Sequence, residues 1–329
     1  MLVLSRRDLE RVLAPREVVD ALAAAFGDLA AGRCAVPARS VVRVAGDAML
    51  FLMPAHARPA PPSAGGGLGV KLITYYGANR ARGEPTLHAT YVLLDGDTGR
   101  PQALLEGTYL TALRTGATSA LAARHLARPD ARSLVCFGAG VQAAFQARCL
   151  AAVLPLGRVV VFGRDPARAR AFCASLASAL GIPVEIGHDP RAALAGADVV
   201  TCATTSATPV LHGADLRPGT HVDLVGAFRP TDRESDTEAV RRARVVVDTY
   251  AGALEEAGDV VIPLREGAIS RAHVSAELAE LVTGARPGRA SPDEITLFKS
   301  VGFALEDLAA ARLAYNRAVA RGIGTEVGL

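Results

Sequence analysis

The 329-residue chain is defined first by what it lacks. No apolar run approaches the roughly 18 residues of a membrane span, and Arg6 and Arg7 are not followed by the apolar stretch of a secretory signal, so a soluble cytoplasmic protein is expected. The five cysteines, Cys34, Cys136, Cys149, Cys173 and Cys202, are odd in number and have no C-x-x-C spacing, which reads as free thiols in a reducing compartment. The seven histidines show neither H-x-x-H nor H-E-x-x-H spacing, so no metal site is expected. Without a G-x-S-x-G elbow, nucleophilic hydrolysis has no support. The net charge is only +3 and the arginines are scattered, so neither nucleic acid nor a membrane surface is an expected partner. There is no internal repeat.

What is present is a large apolar content, 50% of residues against 21% charged, in a chain long enough for two compact domains. The most informative stretch is 132–146, where an apolar run ends in Gly138-x-Gly140-x-x-Ala143 and passes into a helical pattern. Gly138 permits the tight turn, Gly140 lets a pyrophosphate approach the backbone, Ala143 allows close packing, and the helix N–H groups favour the phosphates. Ser133–Phe137 before it and Arg158–Gly163 after it are the two buried strands of a βαβ unit. A dinucleotide is the expected cofactor.

From Pro166 the pattern alternates: helix 166–180, strand 183–186, helix 190–196, strands 198–203 and 220–225, helix 236–242, strand 244–248. This predicts an α/β fold with a doubly wound, Rossmann-type parallel sheet. Residues 1–110 differ, with an amphipathic helix at Pro15–Ala31, alternating strands around 40–53 and 89–95, and a Pro/Gly-rich connector from Arg58 to Gly69. They read as a separate α+β domain. Tyr109–Leu126 has helical spacing, and 303–321 forms a last amphipathic helix with Leu305, Leu308, Ala309 and Arg312 on successive turns.

Three cations stand in otherwise apolar runs: Arg39, Lys71 and Arg114. A charge in such company is costly unless paired. Each alone reads equally as a structural ion pair or a snorkelling side chain; together they point to a site for a small carboxylate.

With these pieces placed, the chain resembles the ornithine cyclodeaminase/mu-crystallin family almost from end to end. The resemblance is carried by Leu52-Met-Pro-Ala55, Gly69-Val-Lys-Leu-Ile-Thr-Tyr-Tyr76, Leu110-Thr-Ala-Leu-Arg-Thr-Gly-Ala-Thr-Ser119, Phe137-Gly-Ala-Gly-Val-Gln142, Val225-Gly-Ala-Phe-Arg-Pro230, Glu255-Glu-Ala-Gly-Asp-Val-Val-Ile-Pro263 and Thr296-Leu-Phe-Lys-Ser-Val-Gly-Phe-Ala-Leu-Glu-Asp307. It implies a substrate-binding and dimerisation domain of residues 1–114 completed by 301–329, a Rossmann domain of 115–300, a homodimer, and NAD(P). It also implies that Arg39, Lys71 and Arg114 bind the substrate carboxylate, with Lys71 as proton donor. The cofactor-lining set expected is Thr115, Gly138, Ala139, Gly140, Val141, Gln142, Gly163, Arg164, Ala203, Thr204, Val225 and Gly226.

Two departures matter. Cyclodeaminases of the family carry an aspartate two residues after the glycine of the Val-Gly motif and a glutamate immediately before Leu-Met-Pro; this chain has Phe228 and Phe51 there. Both argue against ornithine, although Asp232 or Glu234 offers a carboxylate from the same loop. What remains, a carboxylate clamp, a general acid and a hydride carrier, resembles the ketimine reductase and alanine dehydrogenase branches, acting on an α-imino or 2-oxo/amino acid. Arg39 and Arg114 are expected to lower the pKa of Lys71 by like-charge repulsion. Arg164 after the second strand favours NADP(H), while Asp165 beside it, free to cap a helix or to meet a ribose, leaves NAD(H) open. The rivals are ornithine cyclodeaminase itself and a mu-crystallin-like protein that binds a small ligand with NADPH. Gln142 reads equally as a support for the turn, Thr204 and Thr205 as a strand end, Glu256 with Asp259 as a solvated helix end, and Lys299 has no assigned role.

Overall fold

The computed structural model describes residues 1–58 and 67–328; of the Arg58–Gly69 connector, 59–66 lie outside the described residues. The chain divides into two compact units, Met1–Arg114 with Phe303–Leu329, and Thr115–Gly302.

The first unit opens with β1 (Leu2–Leu4), α1 (Arg6–Val12) and α2 (Pro15–Ala30). It continues through β2 (Cys34–Ala35), β3 (Ser40–Arg43), β4 (Met49–Ala57), β5 (Gly67–Tyr75), β6 (Leu87–Leu94) and β7 (Pro101–Glu106) into α3 (Gly107–Leu126). The second unit follows with β8 (Ser133–Phe137), α4 (Val141–Ala151), β9 (Arg158–Phe162), α5 (Pro166–Leu180), β10 (Val184–Ile186), α6 (Pro190–Ala195), β11 (Val199–Cys202) and β12 (His221–Leu224). Next come α7 (Thr237–Arg242), β13 (Arg244–Val247), α8 (Tyr250–Glu256), α9 (Gly258–Arg265), β14 (Val274–Glu277), α10 (Leu278–Thr283) and β15 (Thr296–Lys299). The chain then returns to the first unit with α11 (Ala304–Arg321) and β16 (Thr325–Glu326).

The sheet of the first unit runs β16-β1-β7-β6-β5-β4-β2, with β3 also paired to β4. Among the described residues of this sheet only the β1–β7 pairing is parallel. Its strands alternate, as a sheet with one covered face requires. Met53, Ala55 and Ala57 on β4, and Gly67, Gly69, Lys71 and Ile73 on β5, point into the interior. α11 packs against β4, β5 and β6, and against α2, whose Val18, Val19, Leu22 and Phe26 are fully buried. The opposite face is apolar too: register pairs Val42 with Leu50, Leu52 with Leu72 and Val70 with Val92, and Val42 and Leu72 are 49% and 37% exposed.

The second unit is an eight-stranded, wholly parallel sheet in the order β10-β9-β8-β11-β12-β15-β13-β14. The chain starts in the middle at β8, moves outward to β10, then crosses back to β11, so the strand order reverses between β8 and β11, where open α/β sheets bind ligands. β8, β11 and β15 are buried throughout, as parallel strands covered on both faces must be. Helix starts follow local chemistry: Asp165 caps α5 and Asp189 caps α6 through their side chains, each followed by a proline at the first helical position. All five cysteines are free, and Cys136 and Cys202 are fully buried within β8 and β11. No helix of the described residues is long and apolar enough to cross a membrane.

The alternation expected from Pro166 onward is found within one or two residues. β14 and β15 have no counterpart in the sequence reading, and β15 sits inside the sheet, between β12 and β13. In the first unit β1, β5, β7 and α1 are likewise additional. β5 escapes an alternation reading because its buried face carries two glycines and a lysine.

Candidate functional site

In the first unit the two cations of β5 and α3 meet on one acid. Lys71 is 1% exposed, and its Nζ donates to Asp307 Oδ2 at 2.7 Å. Arg114 Nε donates to the other oxygen of the same carboxylate at 2.9 Å, and its Nη1 pairs with Glu306. Glu306 and Asp307 sit in the first turn of α11, both fully buried, where the helix dipole also favours negative charge. This satisfies the requirement that charges in apolar runs be paired. Among the described residues Asp307 is the only hydrogen-bond acceptor of the Lys71 ammonium, leaving two of its three N–H groups for another acceptor.

The Lys71 pKa is lowered to about 8, chiefly by burial; the Arg114 charge adds to the effect, and Asp307 opposes it. The expectation of like-charge repulsion therefore holds for Arg114, as a cause secondary to burial. The room for this arrangement comes from Gly69, where a Cβ would stand 2.4 Å from the hydroxyl of buried Tyr91, the residue paired in register with Lys71.

Arg39 stands just before β3 with its guanidinium carbon 5.6 Å from the centroid of the Phe51 ring. Phe51 pairs with Ile73 in register, so it lies on the same sheet face as Lys71. The aromatic that replaces the family's glutamate thus carries Arg39 by a cation–π contact. Phe228 is in turn stacked by Arg229, at 5.7 Å.

In the second unit the glycine turn is built as the motif demands. Gly138 has φ of +119°, and a Cβ there would meet the Ala203 carbonyl oxygen at 2.5 Å. Gly138 N donates to Phe162 O (2.8 Å) and Ala203 N to Phe137 O (2.9 Å), tying together the carboxyl ends of β8, β9 and β11. Gly140 is the N-cap of α4 with no side chain capping the helix, open space lies where its Cβ would point, and Val141 beside it is 66% exposed. An uncapped helix N-terminus beneath an open glycine fits a pyrophosphate. Ala139 and Gln142 flank the same turn, with Gln142 half-buried in the first turn of α4; Thr115 follows Arg114 on α3.

At the end of β9, Gly163 and Arg164 are exposed. Arg164 Nη2 donates to Thr205 Oγ1 at 3.3 Å. Asp165 resolves toward capping: its Oδ1 accepts from Ala167 N (2.9 Å) and Arg168 N (3.1 Å).

Several alternatives left open by the sequence close here. Asp259 is not part of a solvated helix end; it is fully buried and paired with Lys299 at 2.9 Å, and Lys299 also donates to Ala227 O at 2.6 Å. Glu234 does not offer a carboxylate to a substrate. It is fully buried, one oxygen accepting from Thr204 N and Oγ1 (both 2.7 Å) and the other from Gly226 N (2.6 Å). Burial pushes the Glu234 pKa up, against the pull of Lys299 and of the Thr204 donors. Thr204 therefore does more than end a strand. Neighbouring Asp223 on β12 accepts from Thr201 Oγ1 at 2.8 Å, and burial pushes it up to about 7. Sequence reasoning missed Glu306 and Asp307, which lie in a quoted motif but far along the chain from the cations they serve, and it gave Glu234 and Asp259 other roles.

Comparison with known proteins gives the same frame. Over 331 residues, 99% of each chain, the sequence is 35% identical to the Delta(1)-pyrroline-2-carboxylate reductase of Bacillus cereus. The structure of Thermococcus litoralis Delta(1)-pyrroline-2-carboxylate reductase in complex with NADH and L-proline superposes with a TM-score of 0.95 at 40% identity, covering 99% of this chain and 100% of that one. An archaeal alanine dehydrogenase dimer with bound NAD gives 0.91 at 30% identity, covering 100% and 99%. The ornithine cyclodeaminase/mu-crystallin family model matches residues 1–322, and with its paired cations on one buried acid and its glycine turn on a parallel sheet, the chain belongs to that family.

Proposed function

We propose that the protein is an NAD(P)H-dependent reductase of small α-imino acids, with a five- or six-membered cyclic ketimine carboxylate as the expected substrate. The observation that carries this reading is the buried Lys71 ammonium, anchored to Asp307 by one hydrogen and holding two more for an incoming acceptor. Arg39 and Arg114 bind the substrate carboxylate, and Lys71 delivers a proton to the imine nitrogen, its lowered pKa easing that transfer near neutral pH. The nicotinamide, when bound, supplies the hydride that the imine carbon receives, so the C=N bond becomes a C–N single bond with one hydrogen added to each atom. The glycine turn at Gly138–Gln142, with Thr115, Gly163, Ala203, Thr204, Val225 and Gly226, holds that cofactor.

Phe51 and Phe228 place aromatic rings where amine-binding carboxylates would be needed, and Glu234 is committed to backbone donors, which favours the reductase over the cyclodeaminase. Exposed Arg164, beside an Asp165 spent on capping, favours NADP(H) over NAD(H). The uncovered apolar sheet face around Val42, Leu52, Leu72 and Val92 supports a homodimer, since a contiguous exposed apolar patch marks an interface.

The test is oxidation of NADPH and NADH with pyrroline-2-carboxylate and piperideine-2-carboxylate, with 2-oxo acids plus ammonia, and in parallel ornithine with NAD. Imine turnover is expected. Ammonia release from ornithine without imine reduction would overturn the reading, and tight ligand binding without any turnover would favour the mu-crystallin-like rival.

A further inference from the structure

Four ionisable side chains of the second unit, Asp223, Glu234, Asp259 and Lys299, are fully buried and lie outside the chemistry proposed above. Three of them close a ring. Glu234 accepts from Thr204 at the end of β11 and from Gly226 just beyond β12. Its own N–H is held by Asp259 Oδ1 at 2.8 Å, Asp259 Oδ2 meets Lys299 at the end of β15, and Lys299 donates to the Ala227 carbonyl. The ring therefore grips both sides of the Gly226–Ala227 peptide bond, the donor before it and the acceptor after it, and fastens it to three adjacent strand ends.

In a doubly wound sheet the two halves of a dinucleotide fall on opposite sides of the switch point. The adenosine half belongs to the β8–β9 side, where the glycine turn and Arg164 lie, and the nicotinamide half to the β11–β12 side. Those are the strand ends that Glu234 ties.

We propose that Glu234 is a positioning residue for the nicotinamide half of the cofactor, setting the spacing of the Ala203–Thr204 and Val225–Gly226 turns from beneath. Glutamine cannot replace it: both carboxylate oxygens accept from backbone N–H groups, and an amide would turn an NH2 toward one of them. This rests on the reading that the chain binds NAD(P), and not on the identity of the imine.

The experiment is titration of Glu234→Gln with NADPH, NADH and ADP-ribose, followed by cofactor fluorescence and, for ADP-ribose, by competition, together with thermal unfolding. The dissociation constant for each reduced dinucleotide is expected to rise about tenfold, as losing a hydrogen bond to a buried charge implies, while that for ADP-ribose stays within a factor of two. Equal weakening of all three ligands, or a fall in Tm with unchanged affinities, would overturn the proposal by reducing Glu234 to a structural role. If Glu234→Gln does not fold, Glu234→Asp, which keeps the charge but draws the carboxylate back from Thr204 and Gly226, is read the same way: selective weakening of the dinucleotides supports the proposal and its absence overturns it. Absence of imine turnover with intact selective weakening would count against the reductase reading alone.

Discussion

Lys71 and Asp307 are 236 positions apart in the chain and meet at 2.7 Å with both side chains withdrawn from solvent. The acid does two opposing things for the lysine. It satisfies a buried charge that would otherwise be expelled, and it raises a pKa that burial lowers. Removing it should be felt in both respects.

Lys71→Met is expected to lower kcat/KM for imine reduction by about 10²–10⁴-fold, the usual range for a general acid, without changing NADPH affinity. Unchanged turnover would remove Lys71 from the chemistry.

A general acid works only while protonated, so the wild-type rate should fall as pH rises through about 8. In Asp307→Asn the anion that raises the pKa is gone, and the falling limb of the kcat/KM profile should move to lower pH. A limb that stays in place would show that another group delivers the proton.

Phe51→Glu is expected to raise KM for the imino acid at least tenfold, because a carboxylate beside Arg39 would compete with the substrate's. Phe51→Leu removes only the cation–π contact, worth about 0.5–1 kcal/mol, and should raise KM a few-fold. If neither variant alters KM, Arg39 does not bind the carboxylate.

Arg164→Ala should reduce kcat/KM with NADPH by about tenfold or more and leave NADH unaffected, the loss expected for a charge-assisted hydrogen bond. Asp165→Ala, which strips the cap from α5, should instead cost about 1 kcal/mol of stability with no change in cofactor ratio. Cofactor-specific kinetics beside thermal unfolding separate the two.

Asp223 carries its proton to about 7 in the folded chain but only to 3.8 when unfolded. Both states are protonated in acid, so there is no effect there; as pH rises past the unfolded value the unfolded state loses its proton first and is favoured. Stability should therefore decline between these pH values by on the order of 4 kcal/mol, levelling off above the folded pKa. In Asp223→Asn this contribution should vanish, making the pH dependence shallower, which denaturant unfolding of both proteins between pH 4 and pH 8 would reveal.

The parallel sheet was legible because strands such as β8, β9 and β11 are mostly apolar and two of its helices begin on Asp-Pro, so local chemistry and global fold agree at Asp165 and Asp189. β15 was not, since Thr296–Lys299 is four residues with a polar group at each end, and only the tertiary fold puts it between β12 and β13. At the site, Lys71 and Arg114 could be singled out because apolar neighbours make a charge conspicuous. Asp307 could not: beside Glu306 at the start of a helix, a pair of acids is what any solvated helix N-terminus shows. Glu234 and Asp259 were singled out, but as a substrate carboxylate and a solvated helix end, because loops and helix starts are where acids are ordinary.

The return of α11 to the first unit also dictates when the protein can become itself during synthesis. The acid that holds Lys71 is made 236 residues after the lysine, β16 pairs with β1, and β15, a central strand of the other unit, precedes α11 by only a few residues. As the ribosome works from one end, neither unit can close until β15 and α11 have emerged. Until then the nascent chain carries an uncovered sheet face and two cations, Lys71 and Arg114, without the acids that pair them in the folded unit.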